Sequence, residues 1–236
     1  MLSRFCSSLV IIANLPFCLA KFVLNSLRIT EIFLSLQGES RSIGFPTVFV
    51  RLTGCPLRCN YCDSAYAFSG GELIEIDSIL EMVSSHGVRH VCVTGGEPLA
   101  QKGCIGLLER LCDKNYEVSL ETSGALDVSD VDSRVIKVMD LKTPSSGEEP
   151  KNRYANISQL GEKDQVKFVI ANRLDYLWAK EVLQNQLKGV ASEILFSPSF
   201  EEIEAHILAD WIIEDKLAVR FQLQLHKLLW GDQPGR

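Results

Sequence analysis

Cys55, Cys59 and Cys62 place three thiols within eight residues of the stretch RLTGCPLRCNYCDSAY. Thiols at spacings of four and then three can serve a disulfide framework, a zinc site or an iron–sulfur cluster. Eight cysteines in 236 residues are too few for a fold stapled by disulfides. Structural zinc usually takes four ligands in two close pairs, and this triplet has no evident fourth. Asp63 adjoins it but would be an unusual ligand, and His86 and His90 belong to other elements. Three thiolates suit a cubane cluster that leaves one iron open to a non-protein ligand. Such a centre supports one-electron chemistry that side chains cannot perform. Cys92, Cys104 and Cys112 read as small buried hydrophobes, and Cys6 and Cys18 as incidental residues of the N-terminal stretch.

The elements that must hold this triplet alternate along the chain. LRITEIF and PTVFVRLTG read as strands, the second running into the cysteines. Asp77 is expected to cap a helix whose Ile79, Leu80 and Val83 share a face. HVCVTGG, EVSLETSG, RVIKVMDLK, KDQVKFVI and SEILFSP follow as strands. Helices are expected at CIGLLERLCDKN, RLDYLWAKEVLQNQL and SFEEIEAHILADWIIEDK, and AVRFQLQLH is expected as a last strand. Strands alternating with helices predict an α/β fold with a mostly parallel sheet. TGGEP, ETSG, DLKTP, SPS and QLHK all fall at carboxyl ends of strands, the edge where parallel α/β folds collect ligands. A doubly wound sheet and a barrel both predict that pattern.

Composition narrows the rest. Apolar residues make up 46% of the chain, enough for one substantial core. The net charge is −6 and no Lys/Arg run is present, which argues against a nucleic-acid partner. Residues 1–26 form a hydrophobic extension, too short and too interrupted by Asn14 and Pro16 for a membrane span. They are expected to be disordered or the product of an upstream start site, with the patterned domain covering 27–236. Asn156-Ile157-Ser158 matches a glycosylation acceptor.

The spacing Cys55-x3-Cys59-x2-Cys62, with Tyr61 before the third cysteine, resembles the cluster motif of the radical S-adenosylmethionine (SAM) enzymes. TGGEP at 94–98 resembles the strand end with which that superfamily meets the methionine moiety of SAM. EIFLSLQGES, CDSAYAFSGG, ETSG, MDLKTPSSG and LQLHKLLWGDQPGR narrow the resemblance to the 7-carboxy-7-deazaguanine synthase family, from about Leu27 to Arg236. The resemblance implies an incomplete (β/α) barrel of the radical-SAM type. It implies a cytoplasmic homodimer without stable membrane association, served by an external one-electron donor such as flavodoxin or ferredoxin. It also implies a [4Fe-4S] cluster, SAM, Mg2+ and a pterin substrate.

Residue by residue, the resemblance puts the cluster on Cys55, Cys59 and Cys62 and Mg2+ on Ser64, where the family usually has Thr. Gly95 and Gly96 are expected to let the backbone approach the cofactor, Glu97 to accept from its ammonium group, and Ser123 to donate to its carboxylate. Lys142 is expected to contact the cofactor, with Asp140 at the edge of the site. Gln37 and Glu39 would meet the pterin edge, Arg51 its carboxylate, with Thr94 and His226 also on the substrate. Lys167 stands as a site residue or as an exposed strand position. The tail WGDQPGR is expected to fold back over the site. Two rivals remain: an activase with the same cysteine spacing, which would act on a protein backbone, and a zinc-stabilised binding module.

Overall fold

The computed structural model describes residues 25–231 together with 233 and 235. Most of the expectation for residues 1–26 therefore lies outside the described residues. Among the described residues no helix is long and apolar enough to cross a membrane.

The strands are β1 (Ser26–Leu36), β2 (Pro46–Leu52), β3 (Glu72–Glu75), β4 (His90–Gly95), β5 (Glu117–Thr122), β6 (Ile136–Leu141), β7 (Gln165–Ile170), β8 (Glu193–Pro198) and β9 (Arg220–Phe221). They form one sheet in the order β3-β1-β2-β4-β5-β6-β7-β8-β9. β1 pairs antiparallel with β2 and β3, and every pairing from β2 to β9 is parallel. The mostly parallel sheet is as expected, and β3 is an addition that the short ELIE segment did not announce.

Alternate residues of each strand go to opposite faces, and here the faces differ in chemistry. Val48, Val50, Leu52, Val91, Val93, Val118 and Leu120 pack against helices α1 (Ile76–Ser85) and α2 (Cys104–Asp113). Met139, Leu141, Val166, Phe168 and Ile170 pack against α3 (Arg173–Asn185) and α4 (Ala205–Asp215). The intervening residues Arg51, Thr94, Glu121, Asp140 and Lys167 line a cavity on the other face. Each helix buries a stripe at helical spacing, as in Ile76, Ile79, Leu80 and Val83 of α1.

Three element boundaries differ from expectation. Helix α1 begins at Ile76 with Glu75 at its N-cap, so Asp77 lies in the first turn, where its charge favours the helix dipole and meets Arg110. Helix α4 starts at Ala205 rather than 199, because Glu201 takes a left-handed φ of 64° and residues 200–202 turn toward the cavity. The last strand spans only Arg220–Phe221, and α5 (Leu225–Trp230) follows, placing His226 in a helical first turn rather than at a strand end. The glycosylation-like Asn156 is buried, its amide donating to the Gly124 and Leu126 carbonyls.

The two edges of the sheet do not pair. The turn between β1 and β2 bridges them instead. Arg41 N–H donates to Gln165 Oε1 at 2.9 Å. Arg220 and Gln222 donate to the Ser40 carbonyl at 2.7 and 3.2 Å, and Leu225 N–H donates to the Gly38 carbonyl at 2.9 Å. Ser40 sits at φ 66°, a conformation costly for a residue with a side chain, and these donors hold it there. The result is a barrel whose seam is made by the hydrogen bonds of this turn in place of a last strand pair.

Candidate functional site

At the carboxyl ends of the parallel strands lies a cavity of ≈ 620 Å³. Cys55, Cys59 and Cys62 all line it, on the loop that leaves β2. That loop is fastened to the 143–148 segment after β6. Asn60 donates from its backbone to the Ser146 carbonyl and from its side chain to the Ser145 carbonyl, both at 3.0 Å. Arg58 N–H donates to Glu148 at 2.6 Å, and its guanidinium stacks over Phe68 while donating back to the Cys55 and Leu57 carbonyls. Tyr61 O–H pairs with the Thr143 hydroxyl at 3.0 Å. All three cysteines are free thiols, and burial pushes Cys59 up to about 11. A thiol shifted as Cys59 is loses its proton near neutral pH when a cationic metal centre draws it off.

Beside the loop, the ends of β4 and β5 make a shelf. Gly95 has φ +153°, and a Cβ there would fall 2.2 Å from the Leu52 carbonyl oxygen. One on Gly96 would fall 2.3 Å from the Gly54 carbonyl oxygen. The close approach that these glycines allow is thus to the chain's own cysteine loop, with the cavity on their other side. Glu97 differs from expectation too. It is fully buried, does not line the cavity, and accepts from Thr122 Oγ1, Leu99 N–H, Ser123 N–H and the Ser123 hydroxyl. Its carboxylate ties the two strand ends together and has no free face for an ammonium group. The Ser123 O–H is committed to Glu97, although the residue itself lines the cavity.

Across the cavity stand the charged groups. Lys167, expected either at the site or on an exposed face, is buried and ion-paired with Glu39. Gln224 donates to the other Glu39 oxygen at 2.7 Å. Burial alone would raise the Glu39 pKa, but the Lys167 charge and hydrogen bond reverse that and hold it below the usual value. Glu121 has the opposite fate: burial, then the nearby Glu39 charge, push it up. It accepts from Thr94 Oγ1 at 3.1 Å and from Gln37 Nε2 at 3.5 Å. His226 lies against Gly38, where a Cβ would meet its Nδ1 at 2.1 Å. Burial draws the His226 pKa down. Arg51 extends from β2 with its Nε on Glu31 at 2.7 Å. Ser64 donates to Asp63 at 2.9 Å, and both line the cavity. Asp140 and Lys142 pair at 2.9 Å, and Asp140 Oδ1 is buried without a partner. Gly231, Gln233 and Gly235 of the tail also line the cavity.

The structure therefore gathers all the expected residues except Glu97 around one space. It adds Glu31, Tyr66, Glu121 and Gln224, which the sequence did not single out. For Glu121 a signal existed: Glu at the first position of ETSG sits two residues after Ser119 on the same strand face. Among the described residues no three His, Cys, Asp or Glu side chains converge as a single-ion site would need. A cubane spreads its three thiolates over three irons, so the triplet fits that demand better than it fits zinc.

Comparison with known proteins agrees with this geometry. The radical SAM superfamily matches residues 49–141, from β2 through β6. A 7-carboxy-7-deazaguanine synthase from Chlorobaculum tepidum is 47% identical over 209 residues, covering 87% of this chain and 94% of the relative. One from Koribacter versatilis is 41% identical over 221 residues, covering 86% and 97%. The crystal structure of QueE from Escherichia coli superposes with a TM-score of 0.72 at 22% identity, over 88% of this chain and 98% of that one, which speaks to the fold. The chain belongs to the 7-carboxy-7-deazaguanine synthase family of the radical SAM superfamily.

Proposed function

We infer that this chain is a 7-carboxy-7-deazaguanine synthase, converting 6-carboxy-5,6,7,8-tetrahydropterin into 7-carboxy-7-deazaguanine with loss of ammonia. The observation that carries the reading is a single cavity. In it the three-cysteine loop faces a wall of Arg51, Gln37, Glu39, Lys167 and His226. Substrate and product differ by ammonia alone, so the net reaction consumes no oxidant or reductant. The unit that performs it is the stretch 27–236.

Cys55, Cys59 and Cys62 would hold the [4Fe-4S] cluster. When bound, the cluster and SAM supply a 5′-deoxyadenosyl radical through one-electron reduction. The shelf of Gly95 and Gly96 would carry the methionine end of SAM on its backbone, with Ser123 and the Asp140–Lys142 pair at its border. Glu97 positions that shelf from behind. Opposite, Arg51 would take the pterin carboxylate through its terminal N–H groups. Glu39, kept ionised by Lys167, would accept from the N–H and amino edge of the ring. Glu121, which burial and the Glu39 charge push toward higher pKa, is oriented by Gln37 and Thr94. Two carboxyl groups pushed apart in this way can divide acceptor and donor work between them. His226, neutral at physiological pH, would donate or accept one hydrogen bond. Ser64 and Asp63 present adjacent hard oxygens, the donor type Mg2+ prefers. The charged wall and the tail around the cavity favour a small anionic ring over a protein backbone. A homodimer and an external one-electron donor complete the reading.

The test is an anoxic assay with reconstituted cluster, dithionite, SAM, Mg2+ and 6-carboxy-tetrahydropterin. Formation of 7-carboxy-7-deazaguanine, abolished in Cys59→Ala, is expected. 5′-Deoxyadenosine without any deazaguanine would sink the substrate assignment.

A further inference from the structure

Arg51 is the side chain best placed for an anionic group, and its surroundings set which of its edges is offered. Its Nε donates to Glu31 Oε1 at 2.7 Å. Tyr66 O–H donates to the same oxygen at 2.7 Å. The guanidinium carbon lies 6.0 Å from the Phe33 ring centroid and 5.7 Å from that of Tyr66, within cation–π range of both. Glu31, Phe33, Arg51 and Tyr66 all line the cavity. Glu31 and Arg51 side chains are 25% and 17% exposed, so the contact is partly withdrawn from solvent. No described protein group occupies the terminal nitrogens of Arg51. A guanidinium whose Nε side is taken presents its two terminal N–H groups as a parallel pair, the fork that matches a carboxylate.

We propose that Glu31, assisted by Tyr66, is a positioning residue that sets Arg51 in the orientation which selects a carboxylate-bearing ring. This rests on the substrate reading above and names the residues outside the substrate contact that give it its specificity. Glu31 is a conspicuous choice for such a site. Its own negative charge opposes the incoming anion, so placing it beside the binding arginine is useful only if orientation gains more than charge loses. A freely rotating arginine would have to be ordered at each binding event, at an entropic cost that the carboxylate and the flanking rings meet in advance.

The experiment separates orientation from charge and from general stability. Cluster-loaded, SAM-bound protein is titrated anoxically with 6-carboxy-tetrahydropterin and with its 6-carboxamide analogue. Glu31→Ala is expected to weaken the carboxylate ligand by roughly tenfold, the scale of coupling between contacting groups. The carboxamide ligand should bind alike to both proteins. Glu31→Gln keeps an oxygen that can accept from Nε, and is expected to restore most of the lost affinity. Tyr66→Phe should give a smaller loss of the same selectivity. Equal losses for both ligands would make Glu31 a structural residue and overturn the proposal. So would unchanged or tighter binding of the carboxylate by Glu31→Ala. If the unsubstituted protein binds neither pterin while still binding SAM, the substrate reading falls, and this inference with it.

Discussion

The shelf at the ends of β4 and β5 and the wall facing it are both polar and both line one cavity, yet they spend their hydrogen bonds differently. On the shelf, Glu97 is sealed off, with both oxygens taken by protein donors. On the wall, Arg51 is held through Nε with its terminal nitrogens left open, and Glu39 carries one side-chain donor on each oxygen, from Lys167 and Gln224. At the border of the shelf, Asp140 keeps one oxygen without a partner. A carboxylate filled by backbone N–H groups and hydroxyls together fixes backbone; groups with a free donor or acceptor can still meet a ligand. The difference separates a support from a receptor within one ring of strand ends.

Substitutions should expose that contrast. The largest effect is expected from Glu97→Ala, which orphans several buried donors. Hydrogen bonds to charged groups are worth about 1.5–3 kcal/mol each, so the loss should exceed about 3 kcal/mol and appear in urea unfolding even without cluster or substrate. If stability is unchanged, Glu97 is no support. Next, Lys167→Met leaves Glu39 buried and unpaired, at about 3–5 kcal/mol. Here a second change should help: adding Glu39→Gln is expected to recover stability without recovering product formation. A double variant that stays as unstable as the single one would refute the pairing. Smaller again, Gly38→Ala pushes a methyl against His226, at about 1–3 kcal/mol if the helix cannot shift. Its expected signature is a raised KM for the pterin with SAM binding intact.

The smallest effect is a pH slope. Burial lowers the His226 pKa below its ordinary 6.5. The unfolded chain therefore binds the proton first as pH falls. Nothing is contributed above pH 6.5, and stability declines as pH drops below it toward the folded value. Replacing His226 with Gln should flatten that part of the stability profile, measured by denaturation from pH 7 to pH 5. A slope that persists unchanged would assign it to another group.

The parts of this architecture that were legible in sequence were those encoded locally. The cysteine spacing, the glycines that end β4 and the alternation of the central strands all sit within a few residues of what they specify. Lys167 was not, because a Lys between Val166 and Phe168 alternates as a solvent-facing residue would. Only closure of the barrel turns that face inward, and only then does Glu39, 128 residues away, become its partner. Glu97 misled for a related reason: whether the carboxylate faces cofactor or strand end depends on Thr122 and Ser123, which belong to another βα unit. AVRFQLQLH alternates well, but β9 has a neighbour on one side only, and after Phe221 the chain leaves the sheet to meet the 38–41 turn.

That seam has a consequence for the order in which the enzyme matures on the ribosome. The cysteine loop finds its anchors within the first 148 residues, at Ser145, Ser146 and Glu148. The substrate wall waits for donors 180 to 185 residues downstream of Ser40 and Glu39. In the order of synthesis, the anchors of the three-thiol loop are thus complete once residue 148 is made, while the far side of the cavity stays open until residues 220–225 reach the 38–41 turn.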